Sequence, residues 1–226
     1  MNIRFASRVI SPPIGTAVAG YGINDRSVCK ADELFMSLLC LDNGTARALI
    51  VSYDLLGLDE GYARRVRRAC AEILEIEEAG VILSCTHTHS GPNTRTLAAH
   101  PETLETGYLE QLAAWTAEEA RGLLRQTPIE TEVYFYSSDC AQNVNRRYIG
   151  PENTCSFLPH RRDMAGLARG FTDRELGLLF FFAKDTRQPV YAIGNYAAHP
   201  LAGHAPGLGG LRISADYPGE FRRYVQ

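Results

Sequence analysis

No stretch of this chain approaches the ~20 consecutive apolar residues that a membrane-spanning helix needs, and Met1 to Ser11 lacks the apolar segment of a secretory leader. The expected compartment is therefore the cytoplasm by default, with secretion through a processed start as the alternative. Net charge is also scarce: 23 Lys+Arg against 26 Asp+Glu leave −3, which gives no reason to expect a nucleic-acid partner. The basic clusters Arg64-Arg65-Val66-Arg67-Arg68 and Arg161-Arg162 are short, lie beside acids and read as solvated faces. The six cysteines, at 29, 40, 70, 85, 140 and 155, include no Cys-x-x-Cys pair. Several fall within apolar runs, where a reduced thiol packs as a small hydrophobe, so a disulfide framework is not expected. With 226 residues, 45% apolar and 22% charged, the chain is long enough for one sizeable core and carries no signature of disorder. One globular unit is expected.

What is present is organised around Gly80 to Pro92. The apolar run Val81-Ile82-Leu83 passes into Ser84-Cys85-Thr86-His87-Thr88-His89-Ser90-Gly91-Pro92. Three successive apolar residues suit a strand covered on both faces, while Gly91 and Pro92 cannot extend it. His87 and His89 are thus expected at a strand's carboxyl end, the edge where ligands bind in α/β proteins. A His-x-His pair can hold a metal, but the chain is about to turn, so one imidazole can be a ligand and the other its neighbour. A second strand-like run, Val190-Tyr191-Ala192-Ile193, leads to Asn195-Tyr196-Ala197-Ala198-His199-Pro200, and the strand-end histidine recurs.

The remaining elements are read in order. Phe5 to Ile10 is a first strand, closed by Ser11-Pro12-Pro13. The glycine-rich loop Gly15 to Asn24 is either a connector or a segment that approaches the site closely because it lacks side chains. Leu34 to Leu41 and Ala46 to Tyr53 form a hairpin around Asp42-Asn43-Gly44-Thr45, since Asn-Gly supplies the positive dihedrals such a turn wants. The second strand delivers Asp54, which either orients an imidazole or metal-bound water, or merely caps the next turn. From the cap Asp59, Tyr62, Val66, Ala69, Cys70 and Ile73 recur at helical spacing. A strand, helix, strand crossover in one sheet follows. Glu105 to Arg125 is a second amphipathic helix with Tyr108, Leu112, Trp115, Ala120, Leu123 and Leu124 inward, and Trp115 reads as core.

Glu132 to Ser137 reads as a strand leading to Asn143-Val144-Asn145-Arg146-Arg147, Gly150 to Asp173 as a long loop, and Leu176 to Lys184 with Val190 to Tyr196 as a second hairpin. His160 reads as a surface residue, and His204, with no strand behind it, as a weaker ligand candidate. Asp216 and Pro218 mark a helix start. The fold class is α/β, with mixed β-sheet or sheets flanked by helices and histidine-bearing loops at strand carboxyl ends.

The string Thr86-His87-Thr88-His89-Ser90-Gly91-Pro92, then Asn145-Arg146-Arg147, Asn195 to Pro200 and Ile213 to Gly219, in that order, resembles the neutral/alkaline non-lysosomal ceramidase family. The resemblance begins at Ile10 to Gly15 with Gly20-Tyr21-Gly22 and takes in Asp54 to Leu58; the histidine string is its specific part. It implies a zinc-dependent amidohydrolase in which metal-activated water cleaves an N-acyl amide of a ceramide-like lipid. Carried over, His87 and His199 are metal ligands and His89 and Arg146 contact substrate. The family's glutamate and tyrosine ligands come later and have no counterpart here. The expectation is a single α/β domain forming the amino-terminal part of a longer catalytic domain, with a possible downstream domain in the parent chain. Two other readings stand beside it: a non-catalytic fragment or binding module with an incomplete metal site, and a carbohydrate or lipid binder with structural histidines.

Overall fold

The computed structural model describes residues 1–22, 25–96, 103–157, 167–201 and 211–225. They divide into two compact units, Met1–Thr131 with His199–Gln226, and Glu132–Ala198. His160 and His204 lie outside the described residues.

The first unit is built on a mixed sheet. Asn2–Val9 pairs antiparallel with Phe35–Asp42, from Asn2↔Asp42 to Val9↔Phe35, and its start pairs with Ile129 and Glu130. Phe35–Asp42 pairs antiparallel with Arg47–Tyr53, and Arg47–Tyr53 pairs parallel with Val81–Cys85. The hairpin register is set at Asn43, whose Oδ1 accepts from the N–H groups of Thr45 (3.0 Å) and Ala46 (2.8 Å), and at Gly44, whose φ of +88° suits a residue without Cβ. The parallel step needs a crossover, which helix α1 (Glu60–Leu74) supplies. Its first turn is capped by Asp59 Oδ1, accepting from Gly61 N–H at 3.0 Å and Tyr62 N–H at 3.3 Å. The core is made by Met36, Leu38, Cys40, Leu49, Val51 and Tyr53 from the strands, with Val66 and Leu74 of α1 and Leu109, Leu112 and Leu123 of helix α2 (Thr106–Leu124). Each such apolar side chain contributes roughly 1.5–3 kcal/mol on burial.

Three sequence expectations are corrected within this unit. Val81–Cys85 ends its sheet, and Ile82 is 51% exposed, so the strand is covered on one face only. Leu124, expected inward, is 51% exposed at the last turn of α2, while Leu109 and Thr116 are buried in the stripe instead. Trp115 is half-buried at the core's margin, with the Arg8 guanidinium 5.3 Å from its ring centre and Tyr108 edge-on to it. Helix α3 (Asp216–Val225) closes the unit.

In the second unit, Glu175–Ala183 and Pro189–Tyr196 form an antiparallel hairpin from Leu176↔Tyr196 to Phe182↔Pro189. The segment expected as a long loop holds short strands: Cys155–Phe157 and Ala168–Arg169 both pair antiparallel with Arg147–Ile149. Main-chain pairing on a shared central strand, rather than any side-chain period, orders them. No described helix is long and apolar enough to cross a membrane.

Candidate metal centre

The parallel strands Arg47–Tyr53 and Val81–Cys85 end level, with Tyr53 opposite Cys85. The ladder then runs on for two bonds: Thr86 N–H donates to Tyr53 C=O and His87 N–H to Leu55 C=O, both at 2.9 Å. His87 turns the chain with a φ of +70°, a left-handed conformation that costs a non-glycine residue of order 1–3 kcal/mol and persists only where its surroundings hold it. Downstream the loop is pinned by the 212–216 segment. Thr88 Oγ1 donates to Ser214 C=O at 2.7 Å, and Ser214 N–H to Ser90 C=O at 2.9 Å. Gly91–Pro92, expected only to stop the strand, pairs with Val18–Ala19.

Thr88 is fully buried, and the rings on either side of it are brought together, with His87 and His89 centroids 5.1 Å apart. His199, three residues past the end of Pro189–Tyr196, belongs to the first unit and completes the cluster. Its centroid lies 4.9 Å from that of His87 and 4.5 Å from that of His89. One ring nitrogen from each of the three falls within 4.8 Å of the others, and Nε2 of His89 is 2.7 Å from Nε2 of His199. His87 and His89 are half-buried and His199 is exposed.

Two rings are oriented by main-chain carbonyls. Nδ1 of His87 lies 2.6 Å from the Leu56 oxygen, and Nδ1 of His89 lies 2.9 Å from the Gly20 oxygen. A carbonyl only accepts, so each Nδ1 carries the proton and each neutral ring turns the lone pair of Nε2 toward the cluster. This is how metal-binding imidazoles are commonly held. Of the two readings of the glycine-rich loop, close approach is the observed one: a Cβ on Gly20 would stand 2.4 Å from His89 Nδ1.

Asp54 is 1% exposed. Its Oδ2 accepts from Phe35 N–H at 2.8 Å and from the Arg222 guanidinium at 2.5 Å, and its Oδ1 accepts from Thr86 Oγ1 at 3.4 Å. Burial raises its carboxyl above the usual range, with Arg222 opposing. At His87 the Leu56 carbonyl meets Nδ1, while the buried Asp54 carboxylate is engaged by three donors. Arg146 lies in the second unit, half-buried ahead of Arg147–Ile149. Asn145 beside it donates through Nδ2 to Phe171 C=O at 2.7 Å and accepts from Arg147 N–H at 2.9 Å.

Sequence reasoning missed the Leu56 carbonyl, Gly20 as the support of His89, and Arg222. Only Gly20 left a signal, in Gly20-Tyr21-Gly22.

No protein-family model matches the chain, and no curated protein matches it. Among solved structures, neutral ceramidase from Pseudomonas aeruginosa superposes with a TM-score of 0.72 at 15% identity, over 96% of this chain and 34% of that one. A ceramidase complexed with C2 gives 0.73 at 15%, with the same coverage. The chain therefore has the fold of part of a ceramidase, and spans about a third of the length of the chains it matches.

Proposed function

We propose that this chain is the histidine-bearing part of a zinc-dependent amidohydrolase of the neutral ceramidase type, acting on an N-acyl amide of a ceramide-like lipid in sphingolipid metabolism. The observation that carries the reading is the convergence of His87, His89 and His199, with ring nitrogens within 4.8 Å, in a chain with a ceramidase fold. The donor set fits the metal: imidazole suits zinc, as it does copper, iron and nickel, and His87, one of the two proposed ligands, has its Nδ1 engaged by the Leu56 carbonyl, which turns its Nε2 toward the cluster. When bound, zinc supplies Lewis acidity toward an amide carbonyl and brings the pKa of water to roughly 7.

His87 and His199 are the proposed ligands. His89 is assigned to the proton. Its Nε2 is 2.7 Å from that of His199, a hydrogen-bond distance, whereas two nitrogens on one zinc at ~2.0–2.1 Å each stand roughly 3–3.5 Å apart. Its Nδ1–H on the Gly20 carbonyl leaves Nε2 to take or give a proton on the substrate side. Arg146 is assigned to the substrate, where its planar fork suits a carbonyl or hydroxyl acceptor.

A second reading, a fragment or binding module with an incomplete site, is favoured by the 34% coverage of the matched chains. A catalytic zinc normally has three protein ligands. The two are separated by zinc stoichiometry after dialysis and turnover of a fluorogenic N-acyl sphingosine, measured for this chain and for a longer parent polypeptide. Weak zinc and little turnover here, with both restored in the parent and both lost on His87→Ala or His199→Ala, is the expected result. His89→Ala should keep the metal and lose turnover. Unchanged parental activity after His87→Ala would sink the assignment.

A further inference from the structure

His87 sits in a strained backbone conformation, with φ of +70°. On its upstream side, the bonds that hold it there come from one short stretch. Its N–H donates to Leu55 C=O at 2.9 Å, and its Nδ1 bonds Leu56 C=O at 2.6 Å. The residue before it, Thr86, donates its main-chain N–H to Tyr53 C=O at 2.9 Å and its hydroxyl to Asp54 Oδ1 at 3.4 Å. The turn from Tyr53 to Leu56 is therefore the mould in which His87 is set, and two of its side chains tie it down: Tyr53 through its hydroxyl to Thr116, and Asp54 through its carboxylate.

The carboxylate tie leads to helix α3. Arg222 donates to Asp54 Oδ2 at 2.5 Å, and the same oxygen accepts Phe35 N–H at 2.8 Å. The Arg222 guanidinium also stands 4.7 Å from the Phe35 ring centre, a cation–π distance. The guanidinium is thus held between a buried carboxylate and an aromatic face, and the carboxylate between helix α3, the 35–42 strand and Thr86. A buried ion pair of this kind is a poor source of stability, because desolvation offsets most of its attraction. Its geometric effect is the informative one: it fixes a turn whose next two carbonyls hold His87, Leu55 by the main-chain N–H and Leu56 by the ring.

We propose that Asp54 and Arg222 are positioning residues for His87, acting through the Leu55 and Leu56 carbonyls to hold its Nε2 at the metal position. The proposal rests on the zinc reading for its functional meaning, but the positioning itself is a property of the metal-free protein. It makes helix α3, which contributes no ligand, part of the centre.

The test uses Arg222→Met, which keeps much of the stem and removes the fork, Asp54→Asn, and Arg222→Lys as the conservative variant. Two readouts are taken besides a thermal melt: the imidazole 1H–15N spectrum of the metal-free protein, and binding of Co2+ followed by its visible spectrum. Arg222→Met and Asp54→Asn should lose or broaden the hydrogen-bonded Nδ1–H signal of His87 while that of His89 on Gly20 persists. Co2+ affinity should fall about 10- to 100-fold, as for other partners that orient ligands, with partial recovery in Arg222→Lys. A merely structural pair would lower the melting temperature and leave both readouts in place, and that result overturns the proposal. Should Arg222→Met fail to fold, Arg222→Lys and Asp54→Asn decide it on the same two readouts. If the wild-type chain binds no Co2+, the zinc reading fails, and the imidazole spectrum still decides the positioning role.

Discussion

Nε2 of His89 lies 2.7 Å from Nε2 of His199, 110 residues further along the chain. Two lone pairs cannot face each other at that distance. Because Nδ1 of His89 is held by the Gly20 carbonyl and carries that ring's proton, the hydrogen between the two neutral rings belongs to His199. A cation bound at Nε2 of His199 requires that hydrogen to sit on Nδ1 of the same ring, so metal binding here selects the other His199 tautomer.

That support predicts a severe effect of Gly20→Ala. The residue has φ of +123°, and an added Cβ would stand 2.4 Å from His89 Nδ1. Urea denaturation should show a loss of about 1–3 kcal/mol, and the His89 imidazole signal should shift. Gly44→Ala is the control: φ is +88° with nothing within 4 Å, so it should cost stability and leave the histidine signals unmoved.

Thr116 lies inside the core, fully buried, where its hydroxyl donates to Leu112 C=O at 2.8 Å and meets the Tyr53 hydroxyl at 3.0 Å. Thr116 has one proton and spends it on Leu112, so Tyr53 is the donor to Thr116. Thr116→Val keeps the shape and leaves the Tyr53 O–H buried without an acceptor, at a cost of about 1–3 kcal/mol. Thr116→Ser should recover more than half of that loss in the same urea titration.

The thiols should separate by burial. Cys70 and Cys85 are pushed up to about 11 and about 12 by desolvation, whereas Cys155 is exposed. The thiolate is the reactive form, and for Cys70, which is buried, and Cys85, which is half-buried, it stays a minor species until pH rises well past 9. Labelling with iodoacetamide between pH 7 and 9 should modify Cys155 readily and leave Cys70 and Cys85 untouched until denaturant is added. Peptide mapping of the labelled protein reads the outcome.

Much of the fold was legible residue by residue. Asn43-Gly44 announced the hairpin through its backbone preferences, and Asp59 announced α1 through its capping oxygen. The strand-end placement of His87 followed from the apolar run before it. Periodicity placed the helices but not their burial: α2 buries Leu109 and Thr116 and leaves Leu124 in solvent. Hydrophobic spacing defines a stripe whose margins are decided by which neighbour lies against them. Ile82 has the same cause, since only the sheet order makes its strand the last one.

The sequence by itself determined which residues have the chemistry of a metal centre and that two segments end in histidines, because side-chain identity and strand-forming pattern are local properties. Tertiary structure alone decided that His199 meets His87 and His89, and which groups hold them. The supports are the carbonyls of Leu56 and Gly20, and every residue has a carbonyl, so no side-chain pattern can mark the two that matter. Their selection depends on where Arg222 and Asp54 fix the 53–56 turn and on how closely a residue without Cβ lets the Gly20 backbone approach.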